Sequence, residues 1–148
     1  MALDLLTTAQ DPKADSNDLT YLLNYCFSQV AGLSPFTLSP ENRQMCLQAI
    51  AAIVVNPQWN YSFSLAQLSV KFDPKLGKGM TSAQMLNASA AFDVFLRAMR
   101  PEHLEKTLRE HRPLLLYAAG DLPWVQAEIL AQEIAPVSVG AVASVRKM

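Results

Sequence analysis

The sequence predicts a mainly α-helical protein: a single compact bundle of five or six helices. Apolar residues recur at helical spacing through most of residues 16–135, capping residues precede several of these segments, and proline or glycine ends them. A chain of 148 residues suffices for one domain that buries roughly two thirds of its unfolded surface. We expect residues 1–15 to form an extended N-terminal arm, residues 16–135 the helical core domain and residues 136–148 an extended C-terminal tail.

The first two core helices have clear signals. From Ser16 the apolar residues are spaced by three and four, Ser16 or Asp18 could cap the helix, and Gly32 could end it. The second helix has Ser39 as its N-cap and Pro40 at the first helical position, and Asn56-Pro57 should end it. Its second half is apolar around most of its circumference, which is typical of a central helix.

The stretch "NPQWNYSFSLAQLSVKF", residues 56–72, fits two structures. Trp59, Tyr61 and Phe63 alternate with polar residues as in a strand, whereas Leu65, Leu68 and Phe72 share one face of a helix. Ala66-Gln67 lacks the glycine or asparagine of a two-residue hairpin turn, and "SLAQ" at residues 64–67 resembles a capping box. We therefore expect an extended aromatic segment, about 58–63, that leads into a short helix, and the choice between strand and helix stays open.

Further helices follow in the second half of the chain. Thr81 and Gln84 form a capping box, Pro101 breaks that helix and starts the next, and Pro113 interrupts again before an apolar segment that Gly120 ends. Asp121 could cap the last helix. After Pro136 the pattern becomes strand-like, with valines among small residues: Val137, Val139, Val142 and Val145.

Composition limits the function. Half of the residues are apolar (51%) and only 17% are charged, so some apolar residues should lie outside the core. They could form a contiguous patch, which usually marks an interface, or be alanines and leucines scattered over the surface of a large core. The net charge of −1 argues against a general binder of nucleic acid or of anionic membranes.

The longest apolar run, residues 49–55, is far too short to span a bilayer, and residues 1–10 lack the features of a signal peptide, so we expect a virion or cytoplasmic location.

The residues provide little support for an enzyme. No catalytic motif or metal-binding cluster is recognisable, so no cofactor and no metal are expected; Cys26 and Cys46 lie in apolar helical patterns typical of buried free thiols. Glycines and lysines in residues 73–79 could form an anion site, but a solvated linker is the simpler interpretation. His103, His111 and Glu105 are the only clustered candidates for acid–base chemistry, and a surface position of all three would argue against it.

The sequence favours a non-enzymatic structural subunit of a larger protein assembly. A valine-rich tail with no obvious partner strand would gain free energy by docking on neighbouring subunits, with Val137, Val139, Val142 and Val145 in contact, and several copies are expected. Many head-to-tail connector and adaptor proteins of tailed phage particles combine a helical core with extended ends; the analogy is one of architecture, because no motif here is specific to them.

An alternative is a small helical subunit of a ribonucleoprotein. Residues 71–112 carry eight basic and five acidic side chains, a net charge of +3. Lys71, Lys75, Lys78 and Arg100 could contact the backbone of a single strand beside stacking rings at Trp59, Tyr61 and Phe63. This alternative requires exposed rings and cations on one face.

Overall fold

The computed structural model describes residues 2–33, 38–72 and 80–134 of the chain. They form eight helices: α1 Ala2–Gln10, α2 Ser16–Ala31, α3 Pro40–Val54, α4 Tyr61–Phe72, α5 Ser82–Ala98, α6 Pro101–Glu110, α7 Arg112–Ala119 and α8 Pro123–Ile134. No strand occurs within these ranges. The mainly α prediction is confirmed, whereas the described part of the chain has eight helices instead of five or six.

Local capping chemistry fixes several helix ends where the sequence predicts them. The hydroxyls of Ser39 and Thr81 accept backbone N–H groups of Asn42 and Gln84, at 3.2 and 3.1 Å. Gly32 follows α2 with φ of 77°, and its neighbour Leu33 donates its N–H back to the carbonyl of Ser28 at 2.9 Å. A residue with a Cβ is strained in this left-handed conformation, which explains the glycine at this position. At the start of α2, however, the capping side chain is Asp15.

The core lies where α2, α3 and α5 pack together. Four phenylalanines, no more than 2% exposed, meet there edge to face with ring centroids 4.8–6.2 Å apart: Phe27, Phe72, Phe92 and Phe95. Such pairs add about 0.5–1.5 kcal/mol each beyond the burial of their area. α1 packs on α3, α7 packs on α5, and α6 and α8 contact each other and α7.

The extended arm expected for residues 1–15 is wrong over residues 2–10, which form helix α1. Ala9 is fully buried against the core, and Leu5 packs on it in part. The side-chain amide of Asn56 donates to the carbonyls of Ala9 and Asp11 at 2.9 and 2.8 Å, so the end of α1 is tied to the end of α3. A nine-residue helix is marginal alone, and packing on α3 stabilises it.

The extended aromatic segment expected at 58–63 is also wrong from Tyr61 onward, because α4 begins there. Asn60 caps it: its side-chain oxygen accepts the N–H of Phe63 at 2.9 Å. Ser64, expected as a cap, lies inside the helix and instead accepts the indole N–H of Trp59 at 2.7 Å. The predicted inner face is confirmed, since Leu65, Leu68 and Phe72 are all buried. The tail, residues 136–148, lies outside the described residues.

Candidate interaction surfaces

The valine contacts predicted for partner binding are not among the positions that the structure describes. Val137, Val139, Val142 and Val145 follow the end of α8, and Lys75 and Lys78 fall between α4 and α5, in residues 73–79. Their roles stay predictions. Other surfaces that could bind a partner lie within the described residues.

Lys71 and Arg100 are exposed but lie at opposite ends of a helix pair. α4 and α6 run side by side in the same direction, since Tyr61 contacts Thr107 and Ser69 contacts His111. Lys71 lies at the far end of α4, whereas Arg100 directly precedes α6. At 1.5 Å per residue, the length of α4 from Tyr61 to Lys71 is about 15 Å. These two cations therefore do not form one compact phosphate-binding cluster.

Two of the three rings proposed for base stacking are used inside the protein. The Trp59 ring packs edge-on against Phe95, with centroids 5.9 Å apart, while its N–H bonds to Ser64. The Tyr61 ring stacks on His103 at 4.4 Å and an interplanar angle of 12°. Its hydroxyl lies 2.7 Å from the hydroxyl of Thr107, and burial raises the pKa of Tyr61. Only Phe63, which is 45% exposed, presents its ring to solvent among the three.

The three candidate acid–base residues on α6 and after it do not converge on one point. His103 is stacked on Tyr61, while Nδ1 of His111 lies 3.2 Å from the hydroxyl of Ser69. Eight helical residues separate the two histidines by about 12 Å. Glu105 is exposed and pairs with Arg109 at 3.2 Å. Burial lowers the pKa of His111, which favours its neutral form.

The cysteines lie on facing helices of the core. Cys26 on α2 and Cys46 on α3 are both free and buried. A side-chain hydrogen bond with Cys46, together with burial, raises the pKa of the Cys26 thiol. A protonated, buried thiol is a poor nucleophile, so Cys26 acts as a core residue. Within the described ranges, no group of three or more histidine, cysteine, aspartate or glutamate side chains is placed to hold a metal ion.

An uncharged apolar stripe runs along the outer face of α4. Phe63, Ala66 and Val70 stand at i, i+3 and i+7 and are all exposed, Val70 at 62%. The inner face of α4 is already buried by Leu65, Leu68 and Phe72. The core of the protein therefore covers only the inner face of α4, and the second apolar face is left uncovered. The alternation of Trp59, Tyr61 and Phe63 obscures this stripe in the sequence.

Two grooves complete the candidate surfaces. The first, about 460 Å³, lies where the ends of α1, α3 and α5 meet and is lined mainly by small residues that include Ala9, Ala51, Ala52 and Ala98. The second, about 340 Å³, lies between α6 and α8 beside the last described residues of the chain. Neither is visible in the sequence, because each depends on helices that are distant along the chain.

The α6/α8 groove has an apolar floor and an acidic rim. Leu104, Leu108 and Ala131 line it with Pro101, and Leu108 is only 1% exposed. Glu105 and Glu128, both exposed, stand on the two sides. The surface is thus suited to an apolar segment with nearby positive charge.

Gln132 forms one wall of the same groove. Its Nε2 donates to the carbonyl of Glu105 at 2.9 Å and so fixes α8 against α6. Its Oε1 is buried and finds no hydrogen-bond partner among the residues that the structure describes. Because this oxygen is buried, a molecule in the groove cannot contact it unless the Gln132 side chain moves.

None of the described helices is long and apolar enough to cross a lipid bilayer. Comparison of the chain with protein-family models, with curated proteins and with solved structures gave no match.

Proposed function

We propose that this chain is a non-enzymatic structural subunit of a larger protein assembly, of the head-to-tail connector or adaptor kind found in virions. In this proposal several copies associate, and residues 137–145 of each dock on a neighbouring subunit through Val137, Val139, Val142 and Val145. The protein would reside in the cytoplasm before assembly and in the virion afterwards.

The observation that carries the proposal is the amount of large apolar surface that the helices leave uncovered. The stripe of Phe63, Ala66 and Val70 on α4 is one instance, and several other helices expose single large apolar side chains by half or more: Tyr21, Leu86, Leu116 and Leu130. With 17% charged residues, the surface has fewer charges than an average soluble domain. Uncovered apolar area combined with few charges is typical of surfaces that become interfaces.

The side chains most suited to chemistry support the same conclusion. His103 packs on Tyr61, His111 contacts Ser69, and the carboxylate of Asp93 accepts from both Trp124 and Arg97. These groups stabilise contacts between helices. A structural role requires such contacts and no convergent reactive groups.

Hydrogen exchange of the free chain tests the proposal. In a dilute, monomeric sample we expect the amides of residues 137–146 to exchange freely, while those of α5 around Phe92 to Leu96 are strongly protected and show that the core is folded. Strong protection of 137–146 in the monomer would mean that the segment belongs to its own protomer. The docking role would then be rejected.

A further inference from the structure

We propose that the α6/α8 groove is the receptor for the valine-rich segment, residues 137–147, of a second copy of this chain. The inference rests on the proposed function and adds the docking surface and the partner. A segment of one copy in the groove of the next is a heterologous, head-to-tail contact, which builds rings when the rotation closes.

The sequence of the segment fits the groove. In an extended chain, alternate residues share a face, so Val137, Val139, Ala141, Ala143 and Val145 would form one apolar face, and Val142 would lie on the other. The groove follows α6 from Pro101 to Leu108, about 10 Å, a distance that three to four extended residues span. Two residues of the apolar face can therefore lie on Leu104, Leu108 and Ala131.

The charges of the segment and of the groove are complementary. Residues 135–148 contain two basic residues, Arg146 and Lys147, and no acidic ones, whereas two carboxylates flank the groove: Glu128, and Glu105, which also pairs with Arg109. The apolar floor and the acidic rim therefore each have a counterpart in the segment.

The position where the chain leaves the groove favours the segment of another copy. Gln132 is bonded to the backbone of Glu105, and Glu133 pairs with Arg112 at 3.3 Å, so α8 ends beside the start of α7, beyond Leu108. To occupy its own groove, the chain would have to reverse direction within a few residues. A neighbour's segment enters without a reversal.

A complementation experiment on full-length chains tests the proposal, with mass measured by light scattering over a range of concentrations. The groove variant is Ala131→Arg, an exposed position in the free protomer, and the tail variant is V139D/V145D. We expect the wild type to associate with increasing concentration and each variant alone to stay at the protomer mass of 16.3 kDa. A mixture should give a species of twice that mass and no larger, because one intact groove then meets one intact tail.

Ala66→Arg is the matched control, since it places the same side chain on a different exposed apolar surface, the stripe of α4, which takes no part in the contact between tail and groove, and it should leave this association unchanged. The heterodimer that Ala131→Arg forms with the tail variant also excludes misfolding of either variant as the reason for its loss of association. The proposal is overturned if the wild type stays monomeric, if Ala131→Arg associates normally, or if Ala66→Arg alone abolishes association. If Ala131→Arg associates normally, or if Ala66→Arg abolishes association, the tail does not bind this groove. Free hydrogen exchange of the amides of residues 137–146 in the monomer would then still support docking of the tail on a different surface.

Discussion

Asn56 shows how much one buried side chain contributes to this fold. Its amide donates to two carbonyls of the α1 region, and its oxygen accepts the N–H of Gln58 at 2.9 Å. The residue is only 7% exposed, so these groups have little access to water if the side chain is lost. From the sequence, Asn56-Pro57 predicts the end of α3, and α3 does end there. The bonds to residues 47 and 45 positions away could not be predicted, because local patterns do not record them.

Asn56→Ala should therefore destabilise the protein by about 1–3 kcal/mol, since it removes the buried donor of the Ala9 carbonyl, whereas the Asp11 carbonyl still accepts the N–H of Ala14. Urea denaturation measures the change in the free energy of unfolding. Gln48→Ala, an exposed substitution on the same helix, serves as control and should change it by less than about 0.5 kcal/mol. Equal effects of the two substitutions would show that the Asn56 bonds contribute nothing net.

His111 should make the stability depend on pH in the neutral range. Burial lowers its pKa in the folded state below the ordinary value of 6.5, with Glu110 opposing and Lys106 assisting the shift. The unfolded chain therefore binds a proton more readily than the folded one, so the contribution of His111 is present above pH 6.5 and is lost as the pH falls below that value.

The measurement is the free energy of unfolding of the wild type and of His111→Gln between about pH 7.5 and 5.5. Glutamine can still bond to Ser69 but does not titrate in this range. We expect the wild type to lose stability relative to the variant as the pH decreases. Parallel profiles would contradict the assignment.

At the scale of elements, the sequence predicts the helix ends that are fixed by contacts between residues close together in the chain. Ser39, Thr81 and Gly32 act on neighbouring backbone groups, and each was predicted in its role. α1 was missed because a short helix draws its stability from the partner on which it packs, here α3. The sequence alone does not indicate that such a partner is in reach.

The α4 region was misread for a related reason. Alternating rings at Trp59, Tyr61 and Phe63 suggest one face of a strand, yet each ring has a different environment. Trp59 precedes the helix and packs on Phe95, Tyr61 faces α6, and Phe63 faces solvent. Asn60, the residue that starts the helix, stands between the rings, so the aromatic alternation conceals its capping role.

The packing of α1 leads to a prediction about Ala9. Because this side chain is fully buried, Ala9→Asp places a charge in an apolar environment and should cost several kcal/mol, about 3 or more. Thr7→Asp adds the same charge to an exposed position of α1 and is the control. Thermal unfolding followed by circular dichroism compares them. A dispensable arm, as the sequence suggested, would tolerate both substitutions equally.

At the scale of the whole molecule, the described helices share one hydrophobic core. Buried apolar residues come from every helix from α2 to α8, with Ala9 from α1, and the central phenylalanines contact one another directly. What the helices do not cover is outside: the α4 stripe, the α6/α8 groove and scattered large apolar side chains. From composition, an apolar content of 51% with few charges predicts that some apolar residues lie outside the core, and the exposed side chains on α2, α4, α5, α7 and α8 agree with this. The location of the surplus required the packing of helices distant in sequence.

Removal of residues 136–148 should separate stability from assembly. In dilute solution the truncated chain should unfold with the same free energy as the wild type, within about 0.5 kcal/mol, since the described core is built from residues 9 to 129 and the proposal places the tail on a neighbour. At high concentration the truncated chain should stay monomeric while the wild type associates. A chain of full length with residues 137–145 rearranged, so that the three valines at 137, 139 and 145 no longer share a face, is the matched control and should behave like the truncation. A loss of more than about 1 kcal/mol in the dilute truncated chain would instead place the segment on its own protomer, because docking on a neighbour cannot contribute where no neighbour is bound.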